Sequence, residues 1–303
     1  MLRQTAIVGI VALATLFAGC SEQNATDVET VAGTATGPGI VSSSDGIEIA
    51  YTAHRIGTPN LVLVHGWMCD QSYWNGQVPV LAEAFGVVTV DVAGHGASGL
   101  DRDEWTIASL GDDVKAVVDK LGLEQVIVVG HSMGGYVALD AARKLPGTVV
   151  GVIGIDTLHD DGSTWDPDNT EGFLSPFEQD FPAACSDFVT SMFVQTANVA
   201  LVQGIADDMC SGPPNIGVAL LQAYLAFDRQ EAFSQSGVPI RAINTDKWPT
   251  DVEGNLELAD FELTLLEGYG HFLMQEAPEV LTQAVIDTTL EIVMGEDQSG
   301  PRQ

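Results

Sequence analysis

The sequence predicts an α/β fold: a mostly parallel sheet flanked by helices, with a helical cap inserted before the penultimate strand. Three observations carry this. Short runs rich in β-branched residues, such as Asn60–Val64 (NLVLV) and Val149–Ile155 (VVGVIGI), are apolar almost throughout, as strands buried on both faces are. Stretches with apolar residues at helical spacing separate them. The alternation breaks once, across residues 157–237, where no core strand is legible. A structureless loop of that length is uncommon in a compact domain, so helices are expected there, over the sheet.

Composition agrees with a large globular domain. The chain has 303 residues, 46% hydrophobic and 17% charged, enough to bury a sizeable core. Eleven Lys and Arg stand against 42 Asp and Glu, a net charge of -31. Such a surface repels nucleic acid and anionic membranes, so nucleic-acid binding is the first class of function to drop.

The first element is a targeting segment. Arg3 precedes an apolar run from Ala6 to Gly19, shorter than a bilayer span and of the length of a secretory h-region. Phe17-Ala18-Gly19-Cys20 resembles a bacterial lipobox, so residues 1–19 are expected to be a lipoprotein signal peptide and Cys20 the acylated residue. Residues 20–39 are small and polar, the composition of a tether. The expected domain is then 40–156 plus 238–296, interrupted by the cap at 157–237. Of the three remaining cysteines, Cys185 and Cys210 share the cap and form the candidate disulfide of an exported chain. Cys69 is left as a buried thiol.

Within the domain, Gly46–Ala53 alternates like a half-exposed strand, and Asn60–Val64, Val87–Val90, Val126–Val129, Val149–Ile155, Ile240–Ile243 and Phe261–Leu266 are the further strands. Thr106–Leu121 places Ile107, Leu110, Val114, Val117, Val118 and Leu121 on one helical face. Met133–Leu145 and Pro278–Met294 are the other core helices, and Ala184–Thr196, Asn198–Met209 and Ile216–Phe227 the legible helices of the cap. Phe173, Phe177, Phe181, Met192, Phe193 and Phe227 are the cap side chains available either to line a substrate cavity or to pack the cap itself.

The chemistry centres on Gly130-His131-Ser132-Met133-Gly134, which fits G-x-S-x-G and follows a strand and opens a helix. That context is the one a nucleophile elbow requires. A serine hydroxyl needs a base. His271, in a glycine-rich loop between the last strand and the last helix, is the candidate, whereas His65, His95 and His131 sit in tight turns and read as structural. The base needs an orienting carboxylate. Asp246, after the penultimate strand, is the favoured choice, and Asp156, at the end of Val149–Ile155, is its rival. The backbone N–H groups of Trp67, after His65-Gly66, and of Met133, after the serine, are the candidate oxyanion donors. No His/Cys/Asp cluster has ligand spacing and no phosphate loop carries a Walker lysine, so neither metal nor cofactor is expected.

These motifs together resemble the α/β-hydrolase fold family. The resemblance rests on His65-Gly66-Trp67, Asp91-Val92-Ala93-Gly94-His95-Gly96-Ala97-Ser98, Gly130 to Gly135, and Gly268-Tyr269-Gly270-His271-Phe272. It implies a serine hydrolase, most simply a carboxylesterase acting on small-molecule esters, with the Asp91–Ser98 turn as scaffold. The family's Gly-x-x-Asp after the penultimate strand is replaced here by Asn244-Thr245-Asp246, so both acids stay open. The serine at the elbow disfavours dehalogenase and epoxide hydrolase chemistry, whose relatives carry Asp there. Lactone, peptide or C–C bond hydrolysis would use the same residues, and a non-catalytic binding lipoprotein is the alternative from another class.

Overall fold

A computed structural model describes residues 36–160 and 169–298. Its centre is an eight-stranded sheet of order β1-β2-β4-β3-β5-β6-β7-β8. The strands are β1 Gly37–Ser42, β2 Glu48–Arg55, β3 Asn60–Val64, β4 Gly86–Val90, β5 Val126–His131, β6 Val149–Ile155, β7 Ile240–Thr245 and β8 Phe261–Leu266. β1 and β2 form an antiparallel hairpin, β2 meets β4 antiparallel, and all remaining pairs are parallel. The apolar runs behave as their composition requires: β3, β4 and β5 are buried at every position. Such strands must be covered on both faces.

The covering helices are α1 Val78–Ala84, α2 Ile107–Leu121, α3 Met133–Lys144 and α11 Pro278–Gln298. α2 and α3 pack on each other, with α3 over β3, β5 and β6, while α11 covers β6 and β7 and meets α1. α2 begins where its sequence says it should. Thr106 accepts from the Ser109 N–H, and the Ser109 hydroxyl accepts in turn from the Thr106 N–H, a reciprocal cap.

Among the described residues five helices separate β6 from β7: α4 Thr170–Gln179, α5 Phe181–Ser191, α6 Val199–Met209, α7 Pro214–Ala226 and α8 Arg229–Gln235. The last three helices are α9 Val252–Leu258, the single turn α10 Leu273–Glu276, and α11. Asp180, Asn198 and Asp228 accept first-turn N–H groups of α5, α6 and α8 through their side chains. α4 and α8 are not legible as helices in the sequence. α4 carries Pro176, and α8 is short and buries only Ala232 and Phe233. α8 packs on α3 and α9, so it belongs spatially to the core side of the insertion.

Cys185 and Cys210 form a disulfide that ties α5 to the end of α6, and Cys69 is free and buried. The bridge closes a separation of 25 residues. Replacing both cysteines with serine should therefore cost about 3 kcal/mol of stability, read as a lower Tm. An unchanged Tm in the double variant would show that the bond contributes nothing.

At the amino-terminal side the strand β1 takes in Gly37–Gly39, three residues expected to belong to the tether. Its composition, GPGIVS, carries no strand signal, and edge pairing with β2 supplies the order. The signal segment and Cys20 lie outside the described residues. Among the described residues no helix is long and apolar enough to cross a membrane.

Candidate active site

β5 ends at His131 and α3 starts at Met133, so Ser132 alone makes the turn. Its backbone sits at φ 53° and ψ -121°, a conformation that costs a non-glycine residue on the order of 1–3 kcal/mol. Neighbouring elements hold it there. Ser132 N–H donates to Ile155 O in β6 (3.1 Å), and Ser132 O accepts from Gly135 N–H (3.0 Å) and from the Thr157 hydroxyl (2.7 Å). The glycines are steric requirements. A Cβ on Gly134 would lie 2.5 Å from His65 O and 2.6 Å from Val64 O, and one on Gly130 would collide with Gly134 O. Small residues let the elbow press against β3, and the serine is lifted off the sheet at the positive end of α3.

His271 is positioned from three sides. Its N–H donates to Met192 O in the cap (3.0 Å), and its carbonyl accepts from His131 Nε2–H (3.0 Å). The Glu276 carboxylate accepts from Gly270 N–H (3.0 Å) and Phe272 N–H (3.2 Å), bracing the loop on either side. The imidazole Nδ1–H donates to Asp156 Oδ2 at 2.6 Å, and both side chains are buried.

The carboxylate on His271 is thus Asp156, and the favoured Asp246 is corrected. Asp156 follows β6 with its N–H on Ile243 O of β7 (2.9 Å) and φ of 45°. Its second oxygen accepts from Thr245 N–H (2.8 Å) and the Thr245 hydroxyl (3.0 Å). Burial acts to raise its pKa. The hydrogen bond and charge of His271, with the Thr245 N–H, outweigh burial and hold it below the ordinary carboxylate value. Asp246 is exposed, and its carboxylate accepts from Gly268 N–H (2.8 Å), bracing the foot of the loop instead. The end of β7 therefore supplies backbone support, while the end of β6 supplies the carboxylate that His271 meets.

The remaining turn histidines hold the scaffold. His65 accepts from Val92 N–H at Nε2 (3.3 Å) and donates from Nδ1 to Gly66 O (2.8 Å). His95 accepts from Met68 N–H (3.1 Å) and donates to Ala93 O (3.0 Å). Burial keeps both neutral, with pKa values pushed down to about 4 and about 3. His95 thereby links the Asp91–Ser98 turn to the loop that carries Trp67. Asp91 serves the same end, accepting from Gln71 N–H (2.7 Å) and Ala97 N–H (3.0 Å).

Ser132, Asp156 and His271 line one cavity of about 230 Å³, together with Gly66, Trp67 and Met133. Its other walls are mostly apolar: Phe173, Phe188 and Met192, then Met209, Leu221 and Tyr224, with Trp248, His159 and Cys69. Of the six cap residues singled out from sequence, Phe173 and Met192 reach the cavity. Phe177 and Phe181 pack on the Trp67 ring instead, Phe193 stacks on Phe272, and Phe227 meets Tyr136. The Trp67 indole N–H donates to Gly217 O of α7 (2.9 Å), so this side chain pins the cap to the core. Phe188 is legible in principle, four residues before Met192 on the same helical face. His159 and Trp248 carry no local signal; only the fold brings them here.

A serine on a strand–turn–helix elbow, at the carboxyl ends of a mostly parallel eight-stranded sheet under a helical insertion, defines the α/β-hydrolase class of fold. The chain belongs to the alpha/beta hydrolase family, whose model matches residues 61–284. Over 131 residues it is 34% identical to the dihydrolipoyllysine-residue acetyltransferase component of the acetoin cleaving system of Cupriavidus necator, covering 43% of this chain and 35% of that one. Over 91 residues it is 38% identical to the pimeloyl-(acyl-carrier protein) methyl ester esterase of Methylococcus capsulatus, covering 30% and 34%. The matched part is thus about a third of the length of these curated relatives. The esterase from Exiguobacterium antarcticum superposes with a TM-score of 0.73 at 20% identity, over 82% of this chain and 98% of that one; at this identity the likeness is one of fold.

Proposed function

We propose that the protein is a serine hydrolase of small or medium carboxylic esters, acting through Ser132, His271 and Asp156. The observation that carries this is the His271 Nδ1–Asp156 Oδ2 hydrogen bond in the same cavity as the elbow serine. With Nδ1 engaged, Nε2 is the ring nitrogen free to take the Ser132 proton as Oγ attacks the acyl carbon. The buried Asp156 carboxylate stabilises the imidazolium that results. Two N–H groups would hold the oxyanion. Met133 opens α3, so its N–H has no partner within the helix. In the Gly66–Cys69 turn the Met68 and Cys69 N–H groups are spent on His95 and Gly66, which leaves Trp67 as the second donor. Collapse of the tetrahedral adduct expels the alcohol, which takes the proton from His271. Water, activated by the same histidine, then cleaves the acyl-enzyme.

The cavity supports a small ester. Its volume falls a little below the usual range of ligand sites, about 300–1,000 Å³, and its apolar cap side chains suit a short acyl or alcohol group. The methyl ester esterase among the relatives points the same way. Lactone, peptide or C–C bond hydrolysis would run on the same residues, and a binding protein would leave them idle. Treatment with a fluorophosphonate probe is expected to label Ser132 alone. A wild-type protein that takes no label would end the hydrolase reading, and a panel of short p-nitrophenyl esters, lactones and amides ranks the substrates.

The location we propose is the bacterial cell envelope, with Cys20 acylated after removal of residues 1–19. The support is the apolar run Ala6–Gly19 with small residues before the cysteine. Radiolabelled palmitate should enter the wild-type protein and not Cys20→Ala. Absence of label from the wild type would leave a protein without a lipid anchor.

A further inference from the structure

Close to the catalytic pair proposed above lies a second histidine that the mechanism does not use. We propose that His159 is a positioning residue for Asp156: a neutral imidazole with its Nε2–H held toward the carboxylate oxygen that His271 does not occupy. This inference rests on the reading of Asp156 as the partner of His271.

The geometry determines which nitrogen carries the proton. Asn244 Oδ1 accepts from Thr157 N–H (3.0 Å), so the other end of the Asn244 amide is its NH2. That NH2 lies 2.9 Å from Thr250 Oγ1 and 3.3 Å from His159 Nδ1. The Thr250 hydroxyl accepts from Asn244 and lies 3.1 Å from His159 Nδ1, with its own proton available to that nitrogen. The Asn244 NH2 thus points at Nδ1 and the Thr250 hydroxyl is free to donate to it, an arrangement that favours a lone pair on Nδ1. The proton sits on Nε2. Protonating Nδ1 as well would set an N–H against the Asn244 NH2, and burial also drives the His159 pKa down.

Among the described residues Nε2 itself is buried without a hydrogen-bond partner, 4.0 Å from Asp156 Oδ1. That is too long for a hydrogen bond, yet it sets the positive end of an N–H dipole against a buried anion, where weak screening makes it count. Asp156 thus faces His271 through one oxygen and His159 through the other. Among the described residues the titratable groups facing His159 are Asp156 at the end of β6, His271 on the loop after β8, and its neighbour Asp160. Trp248 stands edge-on to both histidines, at 6.1 Å from His159 and 5.3 Å from His271, and Asp251 N–H donates to His159 O (2.7 Å). The segment from Asn244 to Asp251 therefore holds the tautomer, the ring and the main chain of His159 together.

The consequence has a sign. The Nε2–H dipole draws on the Asp156 charge and so weakens its hold on a protonated His271. Removing the dipole leaves more carboxylate charge for the imidazolium and raises the pH at which His271 titrates. The test is NMR titration of the His271 ring in the full chain, beside the pH profile of kcat/KM. His159→Phe keeps a flat ring and removes the donor; His159→Leu takes its place should that variant not fold. Either is expected to move the His271 midpoint upward by about 0.5 pH unit or more, about a three-fold change in the protonation equilibrium. The acid limb of kcat/KM should move with it. His159→Gln, whose amide nitrogen can stand in for Nε2–H, should return most of the shift. A midpoint that stays or falls in the folded Phe or Leu variant overturns the proposal, as does a Gln variant no different from Phe. The NMR midpoint decides this even where a wild-type protein without turnover has ended the hydrolase reading.

Discussion

Ser132→Ala and His271→Ala will each fold like the wild type and lose ester turnover by about 10⁴- to 10⁶-fold, the scale on which such units fail when one member is removed. The structure explains why folding should survive. The bonds that hold the elbow run through the Ser132 backbone, from Ile155, Gly135 and Thr157, and none needs the hydroxyl. Alanine meets the same strain at φ 53° that serine already bears. At His271 the cap and His131 are bonded to backbone N–H and C=O, so truncation keeps both contacts. Initial rates with a short p-nitrophenyl ester, alongside thermal melting, give the comparison. Near wild-type kcat in either folded variant would remove that residue from the mechanism.

Asp156→Asn is expected to cost about 10⁴-fold in kcat, and Asp246→Asn no more than about two-fold. The argument is one of tautomers. The Thr245 N–H and hydroxyl select an oxygen at the Oδ1 position, so the amide introduced by Asp156→Asn would place its carbonyl there. Its NH2 would then face His271 Nδ1, which must become an acceptor. The imidazole proton moves to Nε2, and the base can no longer receive the serine proton. Asp246 faces solvent and accepts one backbone N–H, from Gly268, which an asparagine oxygen accepts equally well. Measured side by side at the pH optimum, a larger loss at Asp246 would return the acid to the end of β7 and set aside the 2.6 Å contact between His271 and Asp156.

The proposed roles divide by how far apart in the chain their causes lie. The elbow, the glycines around it and the histidine loop are legible because turn chemistry is local: a strand, one strained residue and a helix are written within a dozen positions. The apolar runs of β3, β5 and β6 are legible for the same reason, since burial on both faces demands residues that no surface strand would carry. β1 is not, because a half-exposed edge strand owes its order to its neighbour rather than to its composition.

The order of residues alone specifies the class of fold, the serine at the elbow and the histidine on the last loop, and it offers Cys185 and Cys210 as a candidate pair that the packing of the cap joins. The choice of acid belongs to the packing of the strands. Asp156 and His271 lie 115 residues apart, and their meeting depends on the register of β6 against β7 and on how the loop after β8 folds back over both. Asp246, nearer in sequence, is turned outward at the end of its own strand. The same holds for His159 and Trp248, which no motif marks, and for the side chains of α5, α6 and α7 that line the cavity. A carboxylate two strands away selects its partner through distance and burial in three dimensions, and neither quantity has a period along the chain.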